Sequence, residues 1–313
     1  MKIVYVPLAH FNPNSGGNSV LKEQAITLLE NNFKVFIYYD NDAVFNSLHP
    51  IFKDIPSIGH DCYTDNEEKI FVVSEEFIWY VDSHLIPNNK KYIMFNQGIN
   101  ATFISGMSFN DTKKIYIKSD GIIVNSEHTR YGIQRLFNPL PNKVHLQRIG
   151  IDNELFFPRE KTIDITYLTN KNYLFVNFID KYLADKYPQL IINRLDGCTR
   201  EEFADVLSRT KLFLSFGGPE GFGMPPLEAV FSKCKVLGFH GDGGKEFFTP
   251  PLLKNIEFFS YYDFLDSLDK AIIDLNRWDT TLEDQYKNLL TMYSKKKSED
   301  STIQIFTNIL DQL

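Results

Sequence analysis

Two acidic residues, Glu220 and Glu228, are separated by seven positions within Gly217-Gly218-Pro219-Glu220-Gly221-Phe222-Gly223-Met224-Pro225-Pro226-Leu227-Glu228, a string that follows an apolar run ending at Phe216. Glycines at 217, 218, 221 and 223 let the backbone turn sharply and approach a ligand closely, and Pro225 suits the first turn of a helix. A helix is therefore expected to start near Met224. The free N–H groups of its first turn, with the positive end of its dipole, suit a diphosphate. A carboxylate accepts hydrogen bonds from neighbouring hydroxyls, so Glu228, about one turn into the helix, suits a ribose diol, and Glu220, in the loop, suits a transferred sugar. Alone, Glu228 would read as a surface helix residue and the glycines as an ordinary loop. Two acids flanking a glycine-rich helix start point instead to a ligand that carries both phosphate and hydroxyls.

The elements that must hold these residues alternate along the chain. Short β-branched and aromatic runs give way to segments of helical period, the pattern of parallel α/β sheets. Strands are expected over 3–8, 35–39, 70–73, 92–95, 121–124 and 144–146, with helices over 19–31 and 127–137. The stretch 148–152 breaks the pattern, and Pro158 with Arg159-Glu160-Lys161 precedes a new strand over 163–168. The domain boundary is placed there, giving Rossmann-like domains over 1–150 and 151–313. The second domain repeats the alternation, with strands over 190–193, 212–216, 236–239 and 256–260 and helices over 199–208 and 225–232. Helices close the chain from 262 onward, the last of them available to pack back on the first domain.

The string from Glu220 to Glu228 resembles the E-x7-E signature of retaining GT-B glycosyltransferases, particularly family four. Gly241-Asp242-Gly243-Gly244-Lys245-Glu246 resembles the family's Gly-Gly-x-x-Glu turn, and residues 121–130 and 144–158 resemble the end of its first domain and its linker. The likeness implies an α/β fold of two Rossmann-like domains whose parallel sheets face across a cleft. It implies a nucleotide-sugar donor held by the second domain and a glycan or lipid-linked acceptor held by the first. By the same likeness Glu220 with Gly243 and Gly244 orients the donor sugar, Glu228 the ribose, and Gly221, Phe222, Gly223 and Met224 line the donor. Ser15-Gly16-Gly17-Asn18 occupies the place of a glycine turn that approaches the donor phosphate, so Gly16 and Gly17 are assigned to the diphosphate. The family sets an Arg and a Lys after the first strand of the second domain. Here Lys171 matches, the Arg is absent, and Arg194 is the candidate substitute. Where relatives place a His after the strand over 92–95, this chain has Asn96-Gln97-Gly98. Gln97 cannot act as a base, although it can hydrogen-bond the sugar, and front-face transfer can use the leaving phosphate as base. The segment from Lys171 to Leu190 is shorter than the family's usual strand and helix, so that region is expected to be trimmed. Polysaccharide biosynthesis at the cytoplasmic face of a membrane, without a metal cofactor, completes what the resemblance implies.

Composition agrees with a globular chain of two domains: 313 residues, 43% hydrophobic and 23% charged, with a net charge of −7. No basic stripe suggests a nucleic-acid partner, and Lys295-Lys296-Lys297 is answered by Glu299 and Asp300. Cys62, Cys198 and Cys234 lack the spacing of a zinc or redox site and fit a reducing cytoplasm. No apolar run reaches the length of a membrane span, which leaves a soluble protein or one peripheral to a membrane. Two other readings remain at this stage. A GT-B fold could serve as a non-catalytic binder of sugar nucleotides, given the absent Arg and His. Asp40-Asn41-Asp42 could imitate the metal-binding Asp-x-Asp of GT-A transferases, although it comes early in the chain. His10 reads as a loop histidine.

Overall fold

The computed structural model describes residues 1–6, 16–39, 52–59 and 67–313. The chain divides into two compact units, Met1–Ile149 with Ser298–Leu313, and Gly150–Lys297.

In the first unit, seven strands run β1 (Lys2–Val6), β2 (Val35–Tyr38), β3 (Ser57–Ile58), β4 (Lys69–Ser74), β5 (Lys91–Asn96), β6 (Gly121–Val124) and β7 (Val144–Leu146). They form one sheet in the order β3-β2-β1-β4-β5-β6-β7, with every neighbouring pair parallel. β4 and β6 are buried along their whole length, as expected when helices cover both faces of a parallel sheet. The strand order reverses between β1 and β4, and in such sheets ligands bind beyond the carboxyl ends of the strands at the reversal. The Gly16–Glu30 helix packs Val20, Leu21, Ala25 and Leu28 inward at helical spacing. Its buried Gln24 accepts from Tyr5 Oη at 2.6 Å and donates to Gln147, whose amide in turn donates to Thr302 Oγ1 at 3.0 Å. That row satisfies polar groups that would be costly if buried alone. It also ties the C-terminal helix Lys295–Leu310 to this sheet, together with buried Ile305, Phe306 and Ile309.

In the second unit, β8 (Ile163–Leu168), β9 (Ile192–Leu195), β10 (Thr210–Ser215), β11 (Lys235–Gly238) and β12 (Leu253–Asn255) form a parallel sheet ordered β12-β11-β10-β8-β9. Here the reversal falls between β8 and β10. Tyr167, Phe175, Phe216, Phe239 and Phe264 form the aromatic centre of the core, so much of the chain's aromatic content is packing material.

Three expectations shift. The strand expected over 190–193 is Ile192–Leu195, and that expected over 256–260 is Leu253–Asn255, with residues 256–260 leading into the Tyr261–Ile273 helix. The region expected to be trimmed carries a helix of 14 residues, Tyr173–Lys186, whose Phe175, Val176, Ile179 and Leu183 face the core. Their spacing is helical, so this helix is legible in the sequence itself, whatever the family's usual length. No helix among the described residues is long and apolar enough to cross a membrane.

Candidate functional site

The two loops that leave the reversal of the second unit's sheet carry most of the candidate residues. The loop after β8 ends at Asn172, which adopts left-handed backbone angles (φ 49°, ψ 49°) that asparagine tolerates better than most residues. Its side-chain amide donates to the Phe216 carbonyl at 2.5 Å, tying this loop to the end of β10. Lys171 is thereby held beside the loop after β10, where its Nζ lies 2.7 Å from Glu220 Oε2. With side chains 41% and 25% exposed, this pair contributes at most about 1 kcal/mol to folding. It is a polar pair presented at a strand-end crevice.

A third loop, after β11, locks onto the second. The Glu220 N–H donates to the Gly241 carbonyl at 2.9 Å, and the Gly243 N–H donates to the Glu220 carbonyl at 3.1 Å. Close approach here requires glycine: a Cβ on Gly243 would stand 2.1 Å from the Gly221 carbonyl oxygen. Cβ atoms on Gly217, Gly223 and Gly241 would stand 2.6, 3.1 and 3.2 Å from Glu220 Oε1. The glycines thus form a cradle for the Glu220 carboxyl. Gly244 donates to the His240 carbonyl at 2.9 Å and continues the turn. Phe222 is buried, with its ring against Phe247 and Tyr293, so only its backbone is available to a ligand.

The Met224–Phe231 helix begins after Gly223, at φ +80° and with no side-chain cap. Pro225 and Pro226 have no N–H, so the anion seat is poorer than a generic helix start: Gly223 and Met224 supply its donors. Among the described residues, no backbone carbonyl accepts from either of them. Glu228 is not an open carboxylate. It is 4% exposed and paired with Arg200, Nη2 to Oε1 at 3.2 Å, at the start of the Arg200–Arg209 helix. A capping box of Thr199 and Glu202 fixes that helix start, and the Arg200 guanidinium lies over the Phe156 ring. The capping box was readable in the sequence, whereas the Arg200–Glu228 contact, with 27 residues between the partners, has no local signal. Arg194 is not gathered with Lys171. It pairs with Asp180 of the Tyr173–Lys186 helix, which also accepts from Tyr167 Oη.

The carboxyl edge of this sheet holds a small crevice of about 20 Å³, lined by Lys171, Ser215, Gly217, Glu220, Pro225 and Pro226. A cavity of about 520 Å³ lies elsewhere, against Lys235, Leu237, Lys270 and Asp274. Chemistry rather than size selects the crevice. There the strand reversal, an acid, a base and open amides coincide.

In the first unit, Gly16 and Gly17 open the Gly16–Glu30 helix, and the Gln97 side-chain amide donates to the Gly17 carbonyl at 3.3 Å. Behind Gln97 stands Glu75, which sequence reasoning missed. It is 4% exposed at the carboxyl end of β4, and its two oxygens accept from the backbone N–H groups of Gln97 at 3.0 Å and Gly98 at 2.9 Å. Burial pushes its carboxyl up to about 8, against the pull of those two N–H groups. Its one sequence signal, an acid at the end of an apolar strand, is common. His10, Ser15, Asp40, Asp42 and Cys62 lie outside the described residues. Among the described residues, no group of three His, Cys, Asp or Glu side chains could hold a metal ion.

Two α/β units with seven- and five-stranded parallel sheets define the GT-B glycosyltransferase fold. With that fold the Asp40/Asp42 alternative loses its GT-A scaffold. Sucrose-phosphate synthase from Thermosynechococcus elongatus matches over the full length of both chains, with a TM-score of 0.74 and 11% identity. Anabaena HepE, solved in complex with UDP and glucose, also matches over both full chains, at 0.75 and 10%. The lipopolysaccharide outer core galactosyltransferase WaaB matches over 100% of this chain and 99% of that one, at 0.69 and 12%. In sequence, an alpha-1,6-glucosyltransferase of Actinobacillus pleuropneumoniae serotype 7 (strain AP76) is 29% identical over 185 residues, covering 56% of this chain and 54% of that protein. The chain therefore spans about half the length of the curated relative it matches. No family model matches.

Proposed function

We propose that this chain is a retaining glycosyltransferase, similar to family four, that moves glucose or a related sugar from a UDP-sugar to a glycan or lipid-linked acceptor. The observation that carries the reading is the Lys171–Glu220 pair at the β8/β10 reversal, next to the open N–H groups of Gly223 and Met224. The printed names of the relatives, a glucosyltransferase and a structure holding UDP and glucose, support the choice of donor.

In this reading Lys171 and the two amides take the diphosphate. Gly16 and Gly17, placed by the resemblance, take it from the first unit. Glu220 and the Gly243–Gly244 turn orient the sugar, Glu228 the ribose, and Gln97 hydrogen-bonds the transferred sugar. The acceptor hydroxyl oxygen bonds to the anomeric carbon on the face from which the diphosphate leaves. The bond from that carbon to the diphosphate oxygen breaks, its electrons go to the diphosphate, and a diphosphate oxygen takes the hydroxyl proton. Fixed donors stabilise the charge that builds there, the kind of preorganisation that contributes most to such steps. The first unit is assigned the acceptor and the second the donor, with no resident metal, in the cytoplasm or peripheral to the inner face of a membrane.

A thermal-shift panel of nucleoside diphosphates tests the reading. UDP at 100 times its dissociation constant should stabilise the fold by about 2.7 kcal/mol, and release of UDP from UDP-glucose should follow when glycan acceptors are added. No shift with any nucleoside diphosphate at millimolar concentration would remove the proposal. Binding without release under any acceptor would favour the non-catalytic binder.

A further inference from the structure

At the carboxyl end of β4, beside the strand reversal of the first unit, the structure places a carboxyl group that is 4% exposed and, among the described residues, paired with no basic side chain. Ser74 pairs with Phe95 as the last residues in register across β4 and β5, so Glu75 leaves β4 next to the end of β5, where the turn at Gln97 begins. Its side chain reaches along the strand ends, and each of its oxygens takes one N–H of that turn, from Gln97 and from Gly98. Gly98 then starts the short 3-10 turn Ile99–Ala101. The Gln97 side chain in its turn donates to Gly17. One buried side chain therefore sets the position of the amide that faces the start of the Gly16–Glu30 helix.

We infer that Glu75 is a positioning residue: its buried carboxyl clamps the Gln97–Gly98 turn and so sets the Gln97 amide for sugar transfer. The inference rests on the glycosyltransferase reading for its last clause and on geometry alone for the rest. Only a carboxylate presents two acceptor oxygens in this arrangement. A glutamine in its place would set an NH2 against one of the two backbone N–H groups, and an aspartate would be a methylene too short to reach both. A charge-capable group in a fully buried place lowers stability unless something else requires it. Here that requirement is the fixed turn.

The test uses the full chain and two variants, Glu75→Gln and Glu75→Asp, at pH 8.5, above the value of about 8 to which burial raises the Glu75 carboxyl. Amide hydrogen exchange at Gln97 and Gly98 should quicken at least tenfold in Glu75→Gln and less in Glu75→Asp. With UDP-glucose as the probe, the rate of UDP release should fall about tenfold in Glu75→Gln while KM for UDP-glucose stays within twofold, and Glu75→Asp should recover part of the rate. Unchanged exchange at both amides overturns the clamp. Faster exchange with an unchanged rate overturns its bearing on transfer. If the unaltered protein releases no UDP, the glycosyltransferase reading fails by itself, and the exchange measurement still decides whether Glu75 holds the turn.

Discussion

Replacing Glu228 with alanine removes a carboxylate that is 4% exposed and lies 3.2 Å from the Arg200 guanidinium. Breaking a fully buried pair costs about 3–5 kcal/mol. The Arg200 side chain retains 29% of its exposure, so water takes over part of its solvation and the cost of Glu228→Ala falls to roughly 2 kcal/mol. Arg200→Ala leaves the more deeply buried partner charged without that guanidinium and should cost more, roughly 3 kcal/mol. If the two residues stabilise each other, the double variant costs less than the sum of the singles by roughly 1.5 kcal/mol. Urea unfolding followed by Trp278 fluorescence in a Trp79→Phe background reads the second unit, because Trp278 lies there and Trp79 in the first. Additivity within about 0.4 kcal/mol would refute the pairing. Glu228→Gln, which keeps the volume, then separates structure from binding. It should weaken UDP affinity about tenfold, about 1.4 kcal/mol, and unchanged affinity in a folded Gln variant would withdraw the ribose assignment.

Glu75 makes stability depend on pH with a definite sign. Its carboxyl is raised in the folded state from 4.5 to about 8 by burial, with the adjacent Glu76 pushing the same way, and the charge of Glu75 in turn helps to raise the phenol of Tyr116. The unfolded chain thus loses the proton first, and stability falls as pH rises from about 4.5 to about 8, by on the order of 5 kcal/mol at most. Urea unfolding at pH 5 and pH 8.5 should show this fall in the unaltered protein and not in Glu75→Gln; parallel curves would sink it. Lys171→Met should change stability by less than about 1 kcal/mol, since both side chains of the pair are partly open to solvent, yet weaken UDP binding tenfold or more by calorimetry. Gly243→Ala sets a Cβ 2.1 Å from a backbone oxygen and should cost roughly 2 kcal/mol or more. Gly218→Ala, whose Cβ meets nothing within 4 Å, should lie within about 0.5 kcal/mol of the parent, both variants being read by urea unfolding.

What the sequence disclosed follows from the range over which each signal acts. Strand and helix alternation is local, and it located both sheets, with misplacements at β9 and β12, short edge strands whose ends few neighbours fix, and without the two-residue edge strand β3. The glycine string, the start of the helix at Met224 and the place of Lys171 were equally legible. Contacts between distant segments were not. Arg200 against Glu228 and Glu75 against the Gln97 turn are each created by the order of strands in a sheet, which periodicity does not encode. Arg194 is a further case. Its strand-end position suited a diphosphate, but the Tyr173–Lys186 helix, absent from the sequence reading, supplies Asp180 to hold it.

The glycines change the weight of the argument as well as its detail. Read from the sequence, they stood for a backbone opened to phosphate. In the fold, Gly217, Gly223 and Gly241 make room for the Glu220 carboxyl, and Gly243 lets one turn cross another. Those needs are internal, so a glycine-rich turn alone would be expected even with no ligand. With Pro225 and Pro226 withdrawing two of the donors on which a helix-start seat depends, the case for a bound diphosphate passes to Lys171 and to the amides of Gly223 and Met224. It passes also to their position at the β8/β10 reversal, which no local rule of turn formation requires.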